Sequence, residues 1–393
     1  MSSASSIPEE INEFFTKATP LWKVSGDDYD GGPKGFLDSL RKYHKDHPEV
    51  DYFALLESTL PEVPESLNRF GKGHFDFTDV NMDETMKVYA KALKFLTSSQ
   101  EELSTRVVDL LVNRKLISDV TPLRGKDPES IMAHFSSILQ EDPPEQQAYR
   151  YIQNKHFLAI VALYILALTF PDEKSLPKVV QGIFERLKKS SDPQSLDNEN
   201  YGGECDDFFE DMSCFNRLHG NLCDLTALAQ SSYKKQGSDS SSSGSPVEQL
   251  VDWTIRVADN SYYENRNNLV YDLYDTTYDH VAELDPVLTV RKAHDWMQRA
   301  FPQEGEGWSH RTAAMAYLLG QGVKELSEQD VTELTPTIQA AMDYFVDKET
   351  NAVKENSCEC QDESEFREAH RIIATKLGLP GGDKKRKAED SNP

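Results

Sequence analysis

Residues 145–169 read EQQAYRYIQNKHFLAIVALYILALT. The first half alternates polar and aromatic side chains at helical spacing, and from Phe157 onward the chain is apolar on every side. The apolar run Phe157–Phe170 covers 14 residues. At 1.5 Å per residue that is about 21 Å of helix, short of the roughly 30 Å of a bilayer core. A helix apolar all round, and too short to span a membrane, belongs at the centre of a domain with its neighbours wrapped about it.

The flanking sequence supplies those neighbours. Upstream, Phe36, Leu37, Leu40 and Tyr43 begin one apolar stripe, and Tyr52, Phe53, Leu55, Leu56 and Leu60 form a second that Pro61 and Pro64 stop. Met86, Tyr89, Leu93 and Leu96 follow the cap candidates Asn81 and Asp83. Val107, Leu110, Leu111 and Leu116 repeat the spacing, and Asp127-Pro128 opens a helix carrying Ile131, Phe135, Ile138 and Leu139. Downstream, Val179, Ile183, Phe184 and Leu187 give another amphipathic helix, Phe208–Tyr233 one more, and the segment QGSDSSSSGSP at 236–246 reads as a flexible linker. Further helices are expected around 247–257, 290–301, 309–319 and 336–345, and a shorter one at 364–377. Few runs show strand alternation, so the expected fold class is all-α: two helical lobes with an N-terminal arm and a mobile acidic C-terminal tail. The expected divisions are 1–33 arm, 34–235 larger lobe, 236–246 linker, 247–345 smaller lobe and 346–393 tail. In the arm, Ile11, Phe14 and Phe15 form a stripe on Pro8–Lys17, behind Ser5 or Ser6 as a cap. So short a helix needs another surface, in this chain or in a neighbour.

Composition narrows the class. The chain has 393 residues, 42 Lys+Arg against 67 Asp+Glu, a net charge of −25, and 38% apolar residues, which excludes a wholly disordered chain. Five Cys do not resemble an oxidised framework, and the first 30 residues lack a basic start followed by an apolar core, so the expected location is inside a cell. The charge is uneven: Asp192–Met212 holds eight acids and no base, and Asp259–Asp285 and Asp343–His370 each carry a net of −6. Arg106–Lys126 is net +3 and Gln146–Ser191 net +4, either the wet faces of ordinary helices or the lining of a cationic groove.

Motifs for catalysis are sparse, and the reading is of a non-enzyme with no cofactor and no metal. Asp206, Asp207, Glu210 and Asp211 resemble the aspartate-rich motif of helical terpene synthases, but no second metal motif accompanies them. Cys205, Cys214 and Cys223 recur every nine residues, unlike the close pairs of structural zinc sites. No phosphate loop or nucleophile elbow is present. Tyr271, Tyr274 and Tyr278 share one helical face, which reads as core. Lys384, Lys385, Arg386 and Lys387 make a nuclear-import candidate, whose rival is a solubilising tail.

In outline, an arm, a larger helical lobe around a buried helix, a smaller lobe and an acidic tail resemble the nucleoproteins of non-segmented negative-strand RNA viruses, the compact fungal-virus and bornavirus-like forms closest in size. The resemblance implies two helical lobes clamping single-stranded RNA in a cationic cleft, homo-oligomers formed by arm exchange, a virion or ribonucleoprotein location, contact of the acidic tail with a polymerase cofactor, and no membrane partner. Mapped by position, the implied RNA-binding residues are Arg150, Lys155, Lys178, Arg186 and Lys189 on one side and Arg291, Lys292 and Arg311 on the other. The alternative is a cellular helical scaffold protein, nuclear in one version, whose acidic surfaces meet a basic partner.

Overall fold

The computed structural model describes residues 7–18, 32–59, 82–113, 121–141, 154–190, 212–237, 244–260, 278–300, 310–345, 360–380 and 382. Among them every regular element is a helix, and the fold is all-α. By internal contacts the chain forms two units. The first comprises Met1–Ser190 with Ser213–Ser238, and the second Ser191–Met212 with Asp239–Pro393. The change from one to the other at 238/239 falls within the segment read as a linker.

In the first unit α1 (Glu9–Ala18), α2 (Gly32–Asp46), α3 (Tyr52–Thr59), α4 (Met82–Leu96), α5 (Gln100–Asn113), α6 (Pro128–Gln140), α7 (Asn154–Thr169), α8 (Leu176–Ser190) and α9 (Met212–Lys235) follow in order. Helix α7 is the apolar segment read above, and it packs against α4, α6 and α8. Its described side chains are buried with the single exception of half-buried Leu168. Neither hydroxyl on it is stranded in the core: that of Thr169 donates to the Ile165 carbonyl at 2.8 Å and that of Tyr164 to Asp224 at 3.2 Å. Phe135 and Phe184 from α6 and α8 are fully buried beside it, and each such side chain contributes roughly 1.5–3 kcal/mol by leaving water.

Local chemistry sets the helix ends. The Asp127 carboxylate accepts the Ser130 N–H at 2.8 Å, Pro128 occupies the first turn, and the bonds from Ser130 hold the Asp127 carboxyl below its ordinary range. At α5 the Glu102 carboxylate accepts the Ser98 N–H and hydroxyl, both at 3.0 Å, while the Ser99 hydroxyl accepts the Glu102 N–H.

Helix α1 answers where the arm's stripe goes. Ile11 and Phe15 are buried, Phe14 stacks on Phe36 at 5.2 Å, and the Tyr43 hydroxyl donates to Glu10 at 3.0 Å. The surface the stripe requires is provided by α2 and α3 of its own unit.

The second unit contains α10 (Pro246–Asn260), α11 (Tyr278–Leu284), α12 (Pro286–Ala300), α13 (His310–Glu325), α14 (Glu328–Phe345) and α15 (Cys360–Leu377). Helix α13 is central, touching α10, α11, α12 and α15. Two glycines let its backbone approach its neighbours. A Cβ at Gly320 would lie 3.0 Å from the Ala369 Cα of α15, and one at Gly322 2.9 Å from Val290 Cγ2 of α12.

Residues 360–377, within the stretch expected as tail, form a helix packed on α13 and α14. Helix α15 buries Ala369, Ile373 and Ala374, and Lys376 donates to the carbonyls of Lys324 and Leu326 at the end of α13, at 2.9 and 2.7 Å. Helix α14 begins two turns before Pro336, which had been read as its start. Ser327 caps it, its hydroxyl accepting the Asp330 N–H, and Pro336 sits exposed within the helix, where its ring leaves one carbonyl of the preceding turn without its helical donor.

Candidate nucleic-acid interface

The RNA-binding residues expected from position separate into three groups. Arg150 lies outside the described residues. Lys155, Lys189 and Arg311 fall on α7, α8 and α13, with side chains outside the description. The other four are described, and three of them are engaged within their own unit.

Arg186 is 5% exposed. Its Nε donates to the Leu139 carbonyl and its Nη2 to the Glu141 carbonyl, both at 2.6 Å, so the guanidinium caps the end of α6 from α8. Last-turn carbonyls lack partners within their own helix, and a planar fork that meets two of them has a structural task. Arg291 pairs with Glu333 at 2.9 Å, joining α12 to α14. Lys292 sits between Glu248 at 2.8 Å and Asp252 at 2.9 Å, both on α10. Burial alone would lower the Lys292 pKa, but hydrogen bonds and charge from the two carboxylates outweigh it and leave it raised. Arg186, Arg291 and Lys292, expected as RNA ligands, are thus each tied to partners in their own unit.

Lys178 is different. It is exposed on the first turn of α8 and has no hydrogen bond or ion pair among the described residues. Its setting is a basic edge of the first unit that the sequence reading did not assemble. The turn Pro171–Ser175 between α7 and α8 is clamped to the end of α9: the Ser232 hydroxyl donates to the Glu173 carbonyl at 3.0 Å, and Gln236 Nε2 to the Lys174 carbonyl at 3.0 Å. Lys235 pairs with Asp172. That hydrogen bond, then the charges of Lys235 and Lys94, hold the Asp172 carboxyl below its ordinary range. The clamp joins the turn that carries Lys174, and the start of α8 that carries Lys178, to the end of α9 with Lys234 and Lys235, and Lys94 at the end of α4 also acts on Asp172. All five lysines are exposed. Beneath them Asp224 of α9 accepts from Lys87 of α4 at 2.8 Å and from the Tyr164 hydroxyl of α7 at 3.2 Å, fixing the three helices together.

Over the described residues the first unit holds 20 bases and 20 acids, the second 9 bases and 16 acids. Cations near a helix C-terminus suit its dipole, which accounts for Lys234 and Lys235 singly. The dipole does not account for exposed lysines from four chain segments gathering at one edge.

The remaining motifs carry no chemistry in the described residues. Cys223 is buried, and burial pushes its thiol up, away from the reactive thiolate. Tyr278 is fully buried, as a core reading of its face requires. Asp206, Asp207, Glu210, Asp211, Tyr271, Tyr274 and the run Lys384–Lys387 lie outside the described residues. Among the described residues no group of His, Cys, Asp and Glu has metal-holding geometry, and no helix is long and apolar enough to cross a membrane. Comparison with protein-family models, with curated protein sequences and with solved structures finds no match to this chain.

Proposed function

We propose that this chain is a nucleoprotein that coats single-stranded RNA, with the phosphates held along the lysine edge of the first unit. The observation that carries the reading is that exposed Lys235 and Lys94 both act on Asp172, with exposed Lys174 and Lys178 in the adjoining turn and first turn of α8 and Lys234 beside Lys235, in a protein whose total charge is −25. Phosphate contacts need lysines at intervals and no sequence readout. A unit of balanced charge presents such an edge with less repulsion than the acidic whole suggests. This proposal shifts the site from a cleft lined by both units to one unit, because Arg291 and Lys292 are already neutralised by Glu333, Glu248 and Asp252. It also does not depend on arm exchange, since the α1 stripe is buried at home.

The test is purification from cells at low and high salt, read by the 260/280 nm absorbance ratio, nuclease protection and negative-stain microscopy. RNA-bearing rings or filaments that shed RNA as salt rises are expected. Monomer free of nucleic acid at every salt concentration contradicts the proposal. One observation favours a second reading, a scaffold with an acidic surface: the second unit's described residues carry 16 acids against 9 bases. That reading expects retention of a basic protein, and no affinity for bare RNA.

A further inference from the structure

Among the described residues only Ile7 and Phe95 are large apolar side chains with exposed surface, Phe95 at 38%. Phe95 stands in the last turn of α4, beside Lys94, and meets a guanidinium and an imidazole of α2. Arg41 places its guanidinium carbon 5.9 Å from the ring centroid, and His44, one turn further along α2, meets the ring edge-on at 5.2 Å and 74°. His44 is itself held by Tyr52, 5.4 Å away. A second phenylalanine gives the contrast: at half-buried Phe53 the Arg106 guanidinium lies 4.0 Å over the ring, covering a face. At Phe95 the guanidinium stays at the far edge of the cation–π range, so ring and guanidinium border an open surface. On the same two helices Lys45 and Lys91 are exposed, as is Lys42, whose ammonium lies 5.9 Å from the Tyr43 ring centroid; Asp38, bound to Arg41 at 3.0 Å, and Asp46 are the acids of α2. Lys94, the residue before Phe95, is also one of the charges that act on Asp172 at the lysine edge.

We infer that Phe95, bordered by Arg41 and His44, is a stacking platform for an unpaired base of single-stranded nucleic acid. The inference rests on the RNA-binding reading and deepens it, for it places the base as well as the phosphates. An aromatic face receives any base, and flanking cations suit the phosphates on either side of it. An apolar partner would not select a ring bordered by Arg41 and next to Lys94, and a duplex would hide its base faces.

The test measures binding of the full-length chain to a fluorescent 12-mer oligouridine and to an abasic 12-mer of the same charge, for wild type, Phe95→Leu and Phe95→Trp. Circular dichroism melts of each variant establish that it is folded. Leu keeps the buried part of the side chain and removes the aromatic face. The expected result is a loss of at least about fivefold for oligouridine with Phe95→Leu, none with Phe95→Trp, and no change for the abasic strand. Equal affinity of Phe95→Leu and wild type for oligouridine, or equal loss for both strands, overturns the stacking platform while leaving the lysine edge standing. Failure of wild-type protein to bind either strand overturns both.

Discussion

The two units are each built around one buried helix, and they solve the problem differently. Helix α7 fills its surroundings with branched and aromatic side chains, Ile160, Leu163, Tyr164, Ile165 and Leu166, all buried. Helix α13 instead presents Gly320 and Gly322 to α15 and α12, so that backbones meet where side chains would otherwise stand. The first arrangement tolerates distance between helices and punishes lost volume. The second tolerates no added volume. Their surfaces differ in the same unequal way. The second unit pairs Arg291, Lys292, Lys324 and Arg371 with its own carboxylates, whereas the first leaves Lys174, Lys178 and Lys234 exposed at one edge. A cation count along the sequence treats these lysines and arginines as equals, but only the partners they meet decide which can hold a phosphate.

The contrast in packing is broken most strongly by removing volume next to α7. Phe135→Ala is expected to destabilise the first unit by about 3–5 kcal/mol. Urea unfolding followed by hydrogen exchange should show the loss in α6, α7 and α8, with α13 protection retained. The converse change, Gly320→Val, is expected to cost about 1–3 kcal/mol by overpacking and to expose α15 to exchange before the rest of its unit. If both substitutions weaken both units equally, the division into separately packed cores is wrong.

The contrast in charge is sharpened by two smaller effects. Arg186→Met removes two bonds to the α6 carbonyls and is expected to cost about 1–3 kcal/mol in thermal or urea unfolding, with RNA affinity and its salt dependence unchanged. Were RNA binding to fall in a variant of normal stability, Arg186 would belong to the interface after all. Arg291→Ala breaks an exposed pair with Glu333 and is expected to change stability by less than about 1 kcal/mol, again without effect on RNA. The Asp127 cap gives a pH effect of known sign. Its folded pKa is depressed, so its contribution is fully present above the ordinary aspartate range and fades as pH falls through the folded value. An acid-side loss of α6 helicity that Asp127→Asn lacks would display it.

Much of this fold is legible along the chain, because period and punctuation are local. The stripe Val179, Ile183, Phe184 and Leu187 gives α8, and Asp127-Pro128 gives the start of α6. Helix α15 is less legible as a packed element because its buried contacts are made by Ala369, Ile373 and Ala374, and alanines facing a glycine carry little hydrophobic signal. At α14 a proline suggests a beginning, yet the Ser327 cap two turns earlier governs. For the site, Arg186 could have been recognised: it stands seven residues after Val179 and three after Ile183, on the buried stripe. Nothing local reports that Lys292 meets residues 44 and 40 positions earlier. The same holds for the lysine edge, which depends on a clamp between the turn Pro171–Ser175 and residues 232–236.

The central claim is that nucleic acid is held by the lysine edge of the first unit and not by Arg291 and Lys292 of the second. Its most direct test is the salt dependence of oligouridine binding for wild type, a variant with Lys174, Lys178, Lys234 and Lys235 changed to Gln, and a variant with Arg291 and Lys292 changed to Gln. Each lost phosphate contact on a single strand lowers the log–log slope by about 0.7, so the quadruple variant is expected to flatten it by about 3. The double variant is expected to leave the slope unchanged. An unchanged slope in the quadruple variant, with a flattened one in the double variant, would contradict the claim.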